Sequence, residues 1–147
     1  MRKIRVLVVD DSLLARQMIS TYLSAQPRFE VVGYAVNAID AKAKIPSLSP
    51  DVMTLDVEMP GVDGITFLKE YLPQHPLPVI LVSSLNIGVF DALDAGAVDF
   101  VRKPDGSGGQ SRDQFLETLA QKIVIASCAK VRSLHQTPSA RPAAPQS

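Results

Sequence analysis

Five short runs dominated by Val, Ile and Leu recur along the chain: Ile4 to Val9, Phe29 to Ala35, Val52 to Leu55, Val79 to Val82 and Val98 to Val101. They mostly lack polar alternation, so each needs cover on both faces. A sheet with one wet face would alternate; a parallel sheet between two layers of helix does not. Between the runs, apolar residues fall at helical spacing. Leu14, Met18 and Tyr22 recur at i, i+4; Ile65, Leu68 and Leu72 recur at i+3 and i+4. Phe115, Leu119, Ile123 and Ala126 form the longest stripe. Strand then helix, five times over, predicts an α/β domain with a doubly wound five-stranded parallel sheet and right-handed crossovers.

Local signals place several helix ends. Asn37 is positioned to cap a helix containing Ala41 and Ile45, and Pro46 is expected to end that helix early by biasing Ile45 away from helical dihedrals. Gly96 falls where a glycine would close a helix starting near Leu85. Ser111 and Gln114 have the spacing of a capping box at the start of the last helix. Beyond about Ser133 the chain reads "HQTPSARPAAPQS", rich in Pro, Ala and Ser and without apolar period. Residues 134–147 are therefore expected to be a linker or disordered tail.

Composition removes several function classes. Lys plus Arg equals Asp plus Glu at 15 each, so there is no general attraction to nucleic acid or an anionic membrane. The start, "MRKIRVLVVDD", has too short an apolar run for a signal peptide or a membrane span. Cys128 is the one cysteine, which excludes an internal disulfide and fits a reducing compartment. A cytoplasmic protein without direct membrane insertion is expected. No dinucleotide fingerprint or P-loop follows the first strand, and there is no Cys/His cluster for a metal.

In a parallel sheet all strands finish along one edge, where ligands bind. The first run ends at Asp10 and Asp11, the third at Asp56, the fourth at Ser83 and Ser84, and the fifth at Lys103. Each has an ordinary explanation by itself. Asp10 or Asp11 would serve as a helix cap, Ser83 as a turn residue and Lys103 as a solvated lysine. Jointly they converge three carboxylates, a hydroxyl and an ammonium on one edge. Crowded carboxylates repel, and an oxygen-only donor set suits Mg²⁺. A carboxylate beside such a cation and Lys103 is also equipped to attack phosphorus.

The acid pair Asp10–Asp11, Asp56, Ser83, Phe100 and Lys103–Pro104, in this order at strand ends, resemble the receiver domain of two-component response regulators. The likeness covers about residues 1–130, and a receiver domain is expected over 1–133. It implies a flavodoxin-like sheet of order 2-1-3-4-5, a general property of that fold class. It implies Asp56 as phosphoacceptor from a histidine kinase, and Mg²⁺ held by Asp10, Asp11, Asp56 and the backbone carbonyl of Glu58. It further implies Ser83 and Lys103 as phosphate ligands, Ser83 and Phe100 as a switch pair, and a cis Lys103–Pro104 peptide. Many receivers carry tyrosine at the position of Phe100.

The stretches "TLDVEMPGVDGITFL", "VILVSSL" and "GAVDFVRKP" are similar, more narrowly, to the receiver half of chemotaxis protein-glutamate methylesterases. There the receiver restrains a C-terminal esterase domain, the expected output partner. No G-x-S-x-G turn for such an esterase appears in these residues, so the chain itself is expected to be no enzyme. Two alternatives stay open at this stage: a stand-alone receiver, and a Mg²⁺-dependent phosphatase working through an aspartyl phosphate.

Overall fold

The computed structural model describes residues 2–84, 89–104 and 111–135, and for 89, 90 and 129–135 the backbone only. Strand β1 spans Ile4–Val9, β2 Phe29–Ala35, β3 Val52–Asp56, β4 Val79–Ser83 and β5 Asp99–Arg102. The helices are α1 (Leu13–Ser24), α2 (Ala38–Leu48), α3 (Gly64–Tyr71), α4 (Val89–Asp94) and α5 (Arg112–His135). All neighbouring strands pair in parallel, in the order β2-β1-β3-β4-β5. The apolar runs locate every strand to within one residue at either end.

Two cores explain why those runs do not alternate. Leu7, Val9, Met53, Leu55, Val79 and Leu81 point to the face covered by α2, α3 and α4. Val6, Val8, Val52, Ile80, Val82 and Val101 point to the other, under α1 and α5. The α5 stripe is as read from sequence: Phe115, Leu119, Ile123 and Ala126 are all fully buried. At α1 the buried line is Ala15, Ile19 and Leu23, one residue along from the stripe 14-18-22. Leu14 is 74% exposed, and Met18 and Tyr22 only border the core. Two i+4 stripes lie side by side on this helix, and the sheet takes the one with the smaller first residue.

Most caps are as the sequence indicates. Asn37 Oδ1 accepts from Asp40 N at 2.8 Å. Ser111 and Gln114 cap each other, Gln114 N donating to Ser111 Oγ at 3.1 Å and Ser111 N to Gln114 Oε1 at 3.2 Å. Gly96, at φ 105°, follows α4; the expected start of that helix near Leu85 lies outside the described residues. Pro46 does not end α2, which continues to Leu48. Pro46 sits on the exposed face, where water can satisfy the carbonyl it leaves without a donor. Ile45 and Leu48 meanwhile pack on the sheet-side core. The helix ends instead at Ser49, whose left-handed φ of 47° lets its N–H donate to Ile45 O. The last helix runs to His135, past the expected boundary at 133; residues 136–147 lie outside the described residues.

Candidate functional site

Strand β1 delivers Asp10 to the carboxyl edge with 1% exposure. Its Oδ1 accepts from Ser12 N at 2.9 Å, and its Oδ2 lies 2.7 Å from Lys103 Nζ. Helix α1 is capped by Ser12, whose hydroxyl accepts from Ala15 N at 3.2 Å. Neither Asp10 nor Asp11 is therefore needed as a cap. Asp11, next along, is exposed.

Strand β3 is central, and it ends on Asp56, 2% exposed and opposite Val82 of β4. Glu58 N donates to Asp56 Oδ1 at 3.2 Å, and Lys103 Nζ stands 3.6 Å from the same oxygen. Carboxylate oxygens of Asp10, Asp11 and Asp56 all lie within 4.8 Å of one another. A buried run can end on an acid here because a lysine stands beside it; the neighbouring acids add to the cost, and the three together form an oxygen donor set that suits a small divalent cation.

The chain leaves β3 through a tight return. Gly61 takes φ 82°, Asp63 caps α3 by accepting from Thr66 N at 2.8 Å, and Gly64 N donates to Val57 O at 3.0 Å. A Cβ on Gly64 would stand 2.5 Å from the carbonyl oxygen of Asp56. That glycine thus lets α3 start directly against the backbone of the acid. In the sequence its only signal is a glycine at a helix start, close after a strand-end acid, and it is absent from the residues expected to form the site.

Strands β4 and β5 complete the edge. Lys103 N donates to Ser83 O at 2.8 Å, which ties the lysine's backbone to the end of β4. Ser83 is buried, 1% exposed, and its hydroxyl donates to Glu58 Oε2. Ser84 gives the other oxygen of Glu58 two bonds, from N at 3.1 Å and from Oγ at 2.9 Å. From sequence, Glu58 is expected to offer only its carbonyl to a metal; in the structure its side chain also joins the edge, through Ser83 and Ser84, and the D-x-E spacing after β3 is the available signal. Phe100 is half-buried against the core under α2–α4. Its neighbour Asp99 and its own carbonyl are held by Lys122, at 2.9 and 3.1 Å.

The expected cis peptide is not present. Among the described residues every peptide bond is trans, Lys103–Pro104 included. The trans isomer is the lower in energy for X–Pro, and Lys103 Nζ reaches both Asp10 and Asp56 with it.

Electrostatics follow from this crowding. Burial, then the charge of Asp10 and more weakly that of Glu58, push the Asp56 carboxyl up to about 7, against the pull of Lys103 and of the Glu58 N–H. Burial acts to lower the Lys103 ammonium, but the hydrogen bond and charge of Asp10, with the charges of Asp56 and Glu58, hold it above its ordinary value. The site thus has surplus negative charge at neutral pH, beyond what one lysine neutralises.

Fold and site together define a signalling receiver. The chain belongs to the response regulator receiver domain family, whose model matches residues 6–108. Within that family it is of the chemotaxis methylesterase type. It is similar to the response regulator domain of Thermotoga maritima CheB, with 42% identity, 86% of this chain and 97% of that one covered, and a TM-score of 0.77. It is also similar to a protein-glutamate methylesterase/protein-glutamine glutaminase of Syntrophomonas wolfei, 50% identical over 131 residues, 89% of this chain and 38% of that protein. The CheX–CheY–BeF3–Mg²⁺ complex from Borrelia burgdorferi is a more distant structural neighbour, with 28% identity, 82% and 89% coverage and a TM-score of 0.69. The chain spans about two fifths of the length of the curated relatives it matches.

Proposed function

We propose that this domain is a phosphoaccepting switch in which Asp56 takes a phosphoryl group from a histidine kinase. The supporting observation is Lys103 Nζ standing between two nearly inaccessible acids, 2.7 Å from Asp10 and 3.6 Å from Asp56, with Asp11 beside them. An Asp56 oxygen attacks phosphorus, the P–N bond to the donor imidazole breaks, and the ring nitrogen keeps the electron pair and is reprotonated. Lys103 neutralises charge on the transferring oxygens. Mg²⁺, held by Asp10, Asp11, Asp56 and the Glu58 carbonyl, supplies the remaining positive charge when bound. Support for that ion comes from the oxygen-only donor set and from the Mg²⁺ and BeF3 of the Borrelia complex.

In the parent protein the domain regulates a methylesterase output domain. That reading rests on the curated relatives, which are methylesterases more than twice this chain's length. The output face is α4, β5 and α5, with Ser83 and Phe100 as the switch pair. The domain itself catalyses no turnover, binds no nucleic acid and works in the cytoplasm; among the described residues no helix is long and apolar enough to cross a membrane.

Acetyl phosphate with Mg²⁺ tests this. One labelled phosphate per chain, absent in Asp56→Asn, is expected. Rapid multiple turnover of phosphate esters would instead identify an aspartyl-phosphate phosphatase.

A further inference from the structure

The Glu58 side chain is not required by the phosphoryl chemistry, yet it is one of the most engaged groups at the edge. One oxygen accepts from Ser83 Oγ, and the other accepts from both the N–H and the hydroxyl of Ser84. Hydrogen bonds to a carboxylate are roughly twice as strong as neutral ones. They join the loop after β3 to the last residue of β4 and the one that follows it. Among the described residues the backbone makes that link only through Val57 N and Val82 O. A serine hydroxyl carries a single proton. Ser83 therefore cannot donate to Glu58 and to a phosphoryl oxygen at once.

We propose that Glu58 is the resting-state latch of the switch: its carboxylate holds Ser83 and Ser84, and with them the end of β4, until a phosphoryl group on Asp56 takes the Ser83 proton. The inference rests on reading Asp56 as the phosphoacceptor. Phosphorylation brings roughly two further negative charges to Asp56, two residues from Glu58. Repulsion then drives the Glu58 carboxylate off as the new acceptor draws Ser83 in. Glu58 is half-exposed and Ser84 exposed, so the released groups pass to water rather than into the core. The latch opens with the loss of its hydrogen bonds and without a desolvation penalty. Glu58 is in this sense a positioning residue: it sets how much phosphorylation must supply before β4 moves.

Two measurements on this chain test it. Hydrogen exchange at the Ser84 amide reads the latch without any phosphoryl group. Glu58→Ala is expected to speed that exchange by about tenfold, the loss of one bond to a charged acceptor; an unchanged rate overturns the latch. Beryllofluoride binding with Mg²⁺ reads the competition. Glu58→Gln is expected to tighten it roughly tenfold in the native background and to change it little in a Ser83→Ala background. Equal gains in both backgrounds mean simple relief of repulsion, and overturn the proposal. If the native chain binds no beryllofluoride, the reading of Asp56 fails, and the exchange measurement alone decides the latch.

Discussion

Replacing Asp56 by Asn removes a buried charge while keeping the shape of the side chain, so its effect on stability has a calculable pH dependence. The Asp56 carboxyl is raised from 3.8 to about 7 by burial, by Asp10 and by Glu58. Below the lower value the group is neutral in both folded and unfolded chains, and its contribution to stability is fully present. As pH rises the unfolded chain ionises first, the folded chain holds the extra proton, and stability falls. The loss is complete once pH passes the folded value. A tenfold difference in proton affinity between the two states is worth about 1.4 kcal/mol, so the whole rise amounts to roughly 4 kcal/mol. The part falling between pH 5 and pH 8 is roughly 3 kcal/mol.

Asp56→Asn is free of this loss. Urea unfolding in EDTA should therefore show the variant gaining on the native chain by roughly 3 kcal/mol between pH 5 and pH 8. The neighbours Asp10, Asp11 and Lys103 are common to both chains and cancel to first order. Mg²⁺ provides a control of the same logic. At a hundred times its dissociation constant it should stabilise the native chain at pH 8 by about 2.7 kcal/mol, and the variant by much less. A stability difference that does not change with pH would refute the argument, because it would show that Asp56 ionises as easily in the fold as in the unfolded chain.

Other expectations follow from single contacts. Thr54 Oγ1 is buried in β3 with no hydrogen-bond partner, so Thr54→Val should stabilise by about 1 kcal/mol, seen as a higher urea midpoint; a lower midpoint would mean the hydroxyl is bonded in solution. Gly64→Ala should destabilise by roughly 1–3 kcal/mol and reduce acetyl phosphate labelling, since its Cβ meets the Asp56 carbonyl. Gly61→Ala has open space around it; only its positive φ is costly, so it should lose stability but keep labelling. Lys103→Met leaves Asp10 and Asp56 without their shared cation, and should cost roughly 3–5 kcal/mol in EDTA at pH 8, with Mg²⁺ restoring part of it.

How much of this is legible in the chain depends on the distance over which each signal acts. A strand buried on both faces must be apolar at every position, so β1 to β5 are visible as uninterrupted runs. Asp10, Asp56, Ser83 and Lys103 are visible because each interrupts or follows such a run, and a parallel sheet brings all strand ends to one edge. Local inference fails where tertiary packing competes. Pro46 signals a helix end, but its carbonyl partner faces water and the burial of Ile45 and Leu48 outweighs the loss. The α1 stripe is ambiguous because Leu14, Met18 and Tyr22 and the adjacent Ala15, Ile19 and Leu23 have the same period; only the position of the sheet separates them. Glu58 shows the limit most clearly. Its partners Ser83 and Ser84 are 25 and 26 residues away, and the D-x-E spacing after β3 marks the residue without naming the partners of its side chain. Residues at strand ends are brought to one edge by the parallel sheet itself and can be read from one sequence. The contacts of Glu58 depend on which loop lies over which strand, and they become visible only once β3 and β4 are placed side by side.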